Sequence, residues 1–346
     1  MCGEGRGHAA RVRTVVERLR GAHEFLLLAP GDAHDLLAPP YAGSDVRVLR
    51  LPGLRYAYAL HGRVSGPRTA CTTARYLARL PELVRSLVRL LEGWRPDLAI
   101  VDFEPALPRA ARRMGVPVVS LDHQHLLAVA DLRGLSRDLR LYGRLAGPVV
   151  MAHCPRPAAR IVSSFAAPPL RPDAPAAEVI GVLLRPAVVA AEPRDGGHVL
   201  AYVKRTVPPG VLAALAGAGV EVRLQGLGVR PPSGLIRFVA RDEAGFVDDL
   251  ASCRAVVCTA GNQLVGEALH LGKPVLAFPE PGNAEQRING HLLRTTGRGE
   301  TAPAEAVDVA LLRGFLDRVE AYRERTVPGR ADGTERALEL LRAHLP

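Results

Sequence analysis

Short apolar runs alternate with longer amphipathic segments along the whole chain. The runs are strand-sized, and they cover residues 25–29, 46–49, 98–101, 116–120 and 160–163 in the first half, and residues 199–203, 220–224, 236–238, 255–258 and 274–278 in the second half. Continuously apolar strands are typical of sheets that are covered on both faces. The pattern therefore predicts parallel strands that are sandwiched between helices.

The segments between these runs predict helices, because their apolar residues recur at three- and four-residue spacing. They cover residues 11–20, 75–92, 105–113, 210–216, 264–271, 308–325 and 334–344. Strands that alternate with helices favour an α/β fold with doubly wound sheets. The strands fall into two stretches, which require two sheets, and the polar, Pro- and Gly-containing segment 185–197 separates them. We therefore expect one domain over residues 1–186 and a second over residues 187–346.

Composition narrows the class of protein. The chain has 346 residues, of which 48% are hydrophobic, 23% charged and 4% aromatic. This composition is typical of globular proteins. Proteins that bind single-stranded nucleic acid stack the bases on aromatic side chains, and this chain has few of them. No apolar run approaches the ~20 residues that span a bilayer, and the first residues carry no signal-peptide pattern. The five cysteines form no Cys-x-x-Cys pair, which indicates reduced thiols and a cytoplasmic protein.

The positive charge is confined to the first half of the chain. Residues 1–173 hold 25 arginines against 15 acidic residues, whereas residues 174–346 hold 20 basic and 20 acidic residues. In the predicted helix 75–92, Arg75 and Arg79 stand four residues apart, as do Arg85 and Arg89. A basic face of this kind attracts an acidic substrate or the anionic inner face of a membrane, as a peripheral contact. A solvated basic surface without a partner is the alternative.

A glycine-rich motif, Gly5-x-Gly7-His8-x-x-Arg11, precedes the first predicted helix. Glycines let the backbone approach a ligand, and the helix N-terminus that follows favours anions. His8 is a candidate general base, because imidazole titrates near neutral pH, or a histidine that only lines a cleft. A strand ordinarily precedes such a loop, so we expect either a start farther upstream or a sheet without its usual first strand.

Polar clusters follow two apolar runs of the first half. Asp102 and Glu104 come after the run 98–101, and Asp122, His123 and His125 come after the next run along the chain. In open α/β sheets, ligands bind at the carboxyl ends of strands. These side chains are therefore candidates for a base, for hydrogen bonds to a hydroxylated ligand or for a metal site, with helix capping by the aspartates as the alternative.

The segment 255–289 carries the largest set of candidate binding residues. Small residues at the end of a strand, including Gly261 beside Asn262, leave room for a diphosphate at a helix N-terminus. Glu267, one to two turns along that helix, can accept hydrogen bonds from ribose hydroxyls. Glu285 and Gln286, on the next strand-to-helix loop, can bind sugar hydroxyls. The order of these groups favours a nucleotide-sugar site.

These motifs resemble those of GT-B glycosyltransferases, in particular the MurG-like family 28 group and related bacterial and archaeal glycosyltransferases. The resemblance is carried by Thr259-Ala260-Gly261-Asn262, Glu267, Gly272-Lys273-Pro274, Glu285-Gln286 and Asn289, and further by the glycine motif, Asp102-Phe103-Glu104-Pro105 and Asp122-His123-Gln124-His125. It implies two Rossmann-like domains that face a cleft, with the acceptor on the first and the donor on the second. Many members have a second glycine or a serine where this chain has Asn262.

The resemblance also implies roles for individual residues. Glu267 would bind ribose, Glu285 and Gln286 the donor sugar, and the backbone near Val239 the base. The resemblance makes His8 a base or a contact in the cleft. In the mechanism that we predict from these residues, the base is His8, or else Asp102 or Glu104, and Lys204 is a candidate for contact with the diphosphate. The acceptor-side candidates are Gly5, Gly7, Arg11, Asp122, His123 and His125.

We therefore predict an inverting glycosyltransferase that needs neither a metal nor another cofactor. The default donor is a UDP-sugar, and the acceptor is a small molecule or a lipid-linked molecule. One alternative is a non-hydrolysing nucleotide-sugar epimerase on the same fold, which would turn over without an acceptor. Another is a nucleotide-sugar-binding protein without catalysis. A nucleic-acid partner is not expected, because the aromatics are scarce.

Overall fold

A computed structural model describes residues 1, 6–54, 57, 65–204, 207–240 and 242–346. The strands, in chain order, are β1 Leu26–Ala29, β2 Arg47–Arg50, β3 Ala99–Val101, β4 Val118–Asp122, β5 Ala159–Ser163, β6 Glu178–Ile180, β7 Val199–Tyr202, β8 Val222–Gln225, β9 Arg230–Ser233, β10 Ile236–Val239, β11 Ala255–Cys258, β12 Val275–Ala277 and β13 Gly299–Thr301. The alternation of strands and helices confirms the predicted α/β class.

The helices, in chain order, are α1 Arg6–Leu19, α2 Gly31–Leu37, α3 Gly66–Trp94, α4 Ala106–Arg113, α5 Leu126–Val129, α6 Arg137–His153, α7 Pro186–Val189, α8 Pro209–Ala216, α9 Glu243–Ser252, α10 Asn262–His270, α11 Ala284–Thr296, α12 Val309–Asp317, α13 Val319–Glu324 and α14 Thr334–Arg342. None of the helices in the described part of the chain is long and apolar enough to cross a membrane.

The described residues form two compact units. The first holds residues up to Leu184 and the C-terminal residues 333–346, and the second holds residues 185–332. This differs from the expected division at residue 186, because α14 returns to the first unit. Its residues Ala337, Leu338 and Leu341 are buried in the same apolar cluster as residues of β4 and β5. An amphipathic helix stabilises whichever sheet it covers, and the sequence does not specify which sheet that is.

The first unit has two parallel sheets, one with the order β1-β2 and one with the order β3-β4-β5-β6. Helix α1 packs against both, since Val16 is buried with residues of β1 and Val15 with residues of β4. No strand precedes α1 among the described residues, and the amino group of Met1 donates to the Leu28 carbonyl of β1 at 3.0 Å.

The second unit has one sheet with the order β13-β12-β11-β7-β8-β10-β9, in which only β9 is antiparallel. In chain order, β7, β8 and β10 extend the sheet toward one edge. Strand β11 then pairs with the other side of β7. In sheets of this kind, ligands bind beyond the carboxyl ends of the strands, where the order reverses. The reversal lies between β7 and β11, and α10 begins just after β11.

Candidate functional site

His8, Arg11 and Asp102 form one hydrogen-bonded group in the first unit, which we call the His8 cluster. His8 lies in the first turns of α1, and Asp102 follows β3 directly. The Nδ1 atom of His8 is 2.8 Å from Oδ1 of Asp102, and Nη1 of Arg11 donates to Oδ2 of Asp102 at 2.8 Å. Asp102 and Arg11 are buried, whereas the His8 side chain keeps 11% of its surface exposed. Only the imidazole can therefore meet a ligand.

The electrostatics of the His8 cluster keep Asp102 ionised. Burial disfavours the charged carboxylate, but the positive charge of Arg11, together with His8, outweighs burial and lowers the pKa of Asp102 below its usual value. An ionised carboxylate can only accept, so the Nδ1–H of His8 is the donor. The lone pair of His8 then lies on Nε2, which is the arrangement that a general base requires.

Glu104, the third predicted catalytic residue, is instead bonded within the first unit. It is buried, and its carboxylate accepts from the Tyr76 hydroxyl at 2.6 Å and from the backbone N–H groups of Ala106 at 2.8 Å and Leu107 at 2.7 Å. Both backbone groups belong to the first turn of α4, whose N–H groups have no partners within the helix. This placement differs from that of a base exposed to substrate, and it favours a capping role.

Replacing Glu104 with Ala is expected to lower the free energy of unfolding by about 1–3 kcal/mol, because three donors lose their acceptor. Thermal unfolding followed by circular dichroism measures the loss. Tyr76→Phe, which removes one of the three bonds, is the matched control and should cost less. Turnover per folded molecule should stay near that of the wild-type protein. A large loss of turnover with unchanged stability would show instead that Glu104 acts in catalysis.

Asp122, His123 and His125 are also buried, in contrast to the expected acceptor contacts. Nδ1 of His125 lies 2.7 Å from Oδ2 of Asp122, and the Ser120 hydroxyl donates to the same oxygen at 2.9 Å. Burial disfavours ionisation, but the interactions with His125 outweigh it and lower the pKa of Asp122 to about 2. Nδ1 of His123 lies 2.9 Å from the Ser163 carbonyl oxygen. The His123 contact joins the ends of β4 and β5, and the Asp122–His125 contact orders the turn after β4, so both are structural.

The second unit brings the predicted donor residues to the carboxyl ends of its strands. Gly261 is the N-cap of α10, and the space that a side chain at this position would fill is open. Asn262, the first residue of α10, is buried. The Asn289 side chain donates to the Ala260 carbonyl at 3.0 Å, which ties α11 to the loop before α10. The loop therefore presents the N-terminus of α10 with room in front of it.

The other predicted donor residues lie at or after the ends of other strands of the same sheet. Val239 ends β10, and Lys204 comes two residues after the end of β7. Glu285 is half-buried in the first turn of α11. The Gln286 side chain accepts from the Glu280 N–H at 2.7 Å and donates to the Glu280 carboxylate at 3.0 Å, so it orders the loop before α11. In the glycine motif, Gly7 lies at the start of α1, and Gly5 lies outside the described residues.

Glu267 is held by a group that the sequence did not reveal, which we call the Glu267 cluster: Arg185, Glu243, Gln263 and Glu267. Arg185 donates to both oxygens of the buried Glu267 carboxylate, from Nε at 3.0 Å and from Nη2 at 2.7 Å. Gln263 donates to Oε1 at 3.0 Å, and Arg185 also contacts Glu243 at 3.2 Å. The only sequence signal for Arg185 is a single basic residue after an apolar run.

The charge of Arg185 is retained within this cluster. Burial disfavours the charged guanidinium, but the carboxylates of Glu267 and Glu243 outweigh burial and raise the pKa of Arg185. The guanidinium also lies over the Phe246 ring, 5.7 Å from its centroid. A bidentate contact of this kind fixes the plane of the Glu267 carboxylate. The carboxylate is therefore oriented. Three N–H donors occupy both lone-pair sites of Oε1 and one of Oε2, which leaves one site on Oε2 for a further donor.

Comparison with known proteins gives a match over most of the chain. Residues 1–320 match the family model described as glycosyl transferase family 1. A protein of Methanosarcina acetivorans, described as an uncharacterized glycosyltransferase, is 30% identical over 109 residues. That match spans 28% of this chain and 28% of the relative.

Three solved structures of similar fold are glycosyltransferases of low sequence identity to this chain. The calicheamicin glycosyltransferase CalG4 has a TM-score of 0.69 at 19% identity, with 99% of this chain and 96% of that chain covered. MurG of Acinetobacter baumannii has a TM-score of 0.61 at 15% identity, with 99% and 97% covered. The spinosyn rhamnosyltransferase SpnG, in complex with thymidine diphosphate, has a TM-score of 0.59 at 20% identity, with 96% of each chain covered. The fold is that of GT-B glycosyltransferases.

Proposed function

The chain belongs to glycosyl transferase family 1, and we propose that it moves a sugar from a nucleoside diphosphate sugar to a hydroxyl or a similar nucleophile of an acceptor. The observation that carries this proposal is the His8 cluster, in which Nδ1 of a partly exposed imidazole is bonded to Asp102 and Nε2 is left to take a proton. The thymidine diphosphate bound to SpnG supports a nucleotide donor. Our first candidate is a UDP-sugar, the donor that the sequence resemblance implies.

The proposed reaction is a single displacement. The acceptor oxygen attacks the anomeric carbon, and its proton passes to Nε2 of His8. The bond between the anomeric carbon and the phosphate oxygen breaks, and the nucleoside diphosphate leaves with the electron pair. Asp102 stabilises the imidazolium that forms, because the carboxylate already accepts from Nδ1. One displacement inverts the configuration at the anomeric carbon.

We assign donor binding to the second unit. The diphosphate lies at the N-terminus of α10, where backbone N–H groups and the helix dipole favour negative charge, and Lys204 supplies a further cation. Glu267 accepts from the ribose hydroxyls, while Glu285 and Gln286 contact the sugar. In this proposal the helix dipole and the cation stabilise the negative charge of the leaving group, so the reaction proceeds without a metal ion. Activity should therefore survive EDTA.

The acceptor is proposed to contact the first unit. Arg75, Arg79, Arg85 and Arg89 are all exposed along α3, and none of them has a carboxylate partner within the described part of the chain. This unpaired basic face supports an acceptor that carries negative charge, either a small molecule or a lipid-linked one. His123 and His125, being buried, have no part in this proposal.

Nucleotide binding is the direct test of the proposal. UDP, thymidine diphosphate or the matching nucleotide sugars should raise the melting temperature, since a ligand that binds only the folded state stabilises it by about 2.7 kcal/mol at 100 times its Kd. Adenosine monophosphate serves as the control ligand. If no nucleoside diphosphate raised the melting temperature, the donor site would be misassigned. Turnover of the nucleotide sugar without an acceptor would indicate an epimerase, and binding without any turnover a non-catalytic protein.

A further inference from the structure

Helix α6 has a glycine-lined inner face that packs within the first unit. Leu139, Gly143, Gly147 and Val150 are buried on this face. A Cβ atom at position 143 would lie 2.2 Å from Cδ1 of Leu132, so a larger residue there would require the Leu132 side chain to move. The inner face therefore fixes the rotation of α6, and with it the set of side chains that points to solvent.

The outer face of α6 exposes an apolar row. Leu141, Leu145 and Val149 stand at four-residue intervals, and they are 57%, 68% and 57% exposed. Four-residue spacing places them along one side of the helix. Single exposed leucines are ordinary on protein surfaces, but an aligned row of large aliphatic side chains marks an interaction site.

Positive charge borders this row. Arg137 and Arg144 are exposed on α6, and neither contacts a carboxylate in the described residues. Asp138, in the first turn, is the sole acidic residue in the helix sequence. The surrounding first half of the chain carries a net charge of +10. An apolar stripe beside unpaired guanidinium groups, in a positively charged unit, complements a surface that offers both phosphate groups and hydrocarbon.

We propose that this face of α6, the α6 surface, docks on an anionic lipid bilayer. The α6 surface consists of Leu141, Leu145 and Val149 with Arg137 and Arg144. The helix lies parallel to the membrane plane, the aliphatic side chains enter the boundary between headgroups and acyl chains, and the guanidinium groups bind lipid phosphates. The membrane is favoured over a second copy of this chain, because two α6 surfaces would bring like charges together.

Vesicle co-sedimentation of the full chain tests the proposal. The wild-type chain should bind vesicles of phosphatidylglycerol and phosphatidylcholine at low salt, and should bind pure phosphatidylcholine much less. The triple variant Leu141→Gln, Leu145→Gln, Val149→Gln should bind about 30-fold more weakly, since each aliphatic group loses its insertion. The double variant Arg137→Gln, Arg144→Gln should lose about 30-fold at low salt, at roughly 1 kcal/mol per arginine, and less at high salt.

The matched control is Val229→Gln, which replaces a side chain that is 74% exposed in the second unit. It should bind vesicles like the wild-type chain, and all variants should keep the wild-type melting temperature because the positions are exposed. Equal binding by the triple variant and the control would overturn the proposal, as would an absence of vesicle binding by the wild-type chain.

Sedimentation velocity tests the alternative occupant, a second copy of this chain. A dimer that the triple variant abolishes would show that the face joins two copies. Vesicle binding does not depend on sugar transfer, so Glu267→Gln should not alter it.

Discussion

Replacing Asp102 with Asn is expected to lower turnover by about 10²–10⁴-fold, which is the contribution of a positioned general base. The asparagine side chain can present its NH₂ group to His8, and the imidazole would then carry its proton on Nε2. In that tautomer Nε2 has no free lone pair, so it cannot remove the proton of the attacking hydroxyl. Nucleotide binding should be unchanged, because the donor is assigned to the second unit. Steady-state kinetics and nucleotide titration together measure the two effects.

His8→Ala should lower turnover to a similar level, and the double variant should lose little more, because the two residues act as one unit. The matched control is Asp122→Asn. It breaks a second Asp–His pair of the first unit, one that is fully buried, in which Nδ1 of His125 lies 2.7 Å from the carboxylate. We expect this control to lower stability while turnover per folded molecule is kept. Normal turnover in His8→Ala would remove His8 as the base.

Replacing Glu267 with Gln is expected to weaken binding of a ribonucleoside diphosphate by about 10–100-fold, the range for lost hydrogen bonds to a charged acceptor. The amide keeps the shape of the side chain, but it replaces one acceptor oxygen with a donor. A 2′-deoxynucleoside diphosphate should lose less affinity, because it offers one hydroxyl fewer. Isothermal titration with both nucleotides measures the difference.

Arg185→Gln should weaken binding in the same direction, because the plane of the Glu267 carboxylate is no longer held by a bidentate contact. Arg185 is thus a positioning residue, and its loss should raise the donor KM more than it lowers kcat. Glu243→Gln is the control, since it removes a neighbour of Arg185 and leaves the contact with Glu267 in place. An equal loss for ribose and deoxyribose nucleotides in Glu267→Gln would show that Glu267 does not read the sugar of the nucleotide.

The short-range features of the fold could be predicted from the sequence. The run 255–258, the small residues after it and the predicted helix 264–271 appear in the structure as β11, a loop and α10, which begins at Asn262. Continuous apolar runs and amphipathic periodicity act over a few residues, so they are visible without a fold. The predicted helix 308–325 proved to be two helices, α12 and α13, with Arg318 between them. Helices α2, α5, α6, α7 and α9 have no counterpart among the predicted segments; in α6 the outer face is apolar, which weakens the amphipathic pattern.

The roles of the polar side chains were harder to predict. Three acidic residues, Asp102, Glu104 and Asp122, all follow apolar runs, and the sequence made each of them a candidate for chemistry. In the structure, Glu104 caps α4 and Asp122 is paired with His125, so both are satisfied within the first unit. Asp102 alone contacts a partly exposed imidazole. Burial and hydrogen-bond partners separate these three, and neither can be read from position along the chain.

The sequence by itself determined the α/β class, the family resemblance and the segment in which a nucleotide sugar is expected, because these depend on local pattern and spacing. Only the tertiary structure decided which groups act together. Asp102 meets His8 across 94 positions, and Arg185 meets Glu267 across 82. Parallel strands bring their carboxyl ends to one edge of a sheet, whatever their separation in the chain. That convergence turns an isolated histidine into an oriented base, and a lone arginine into the group that orients the Glu267 carboxylate.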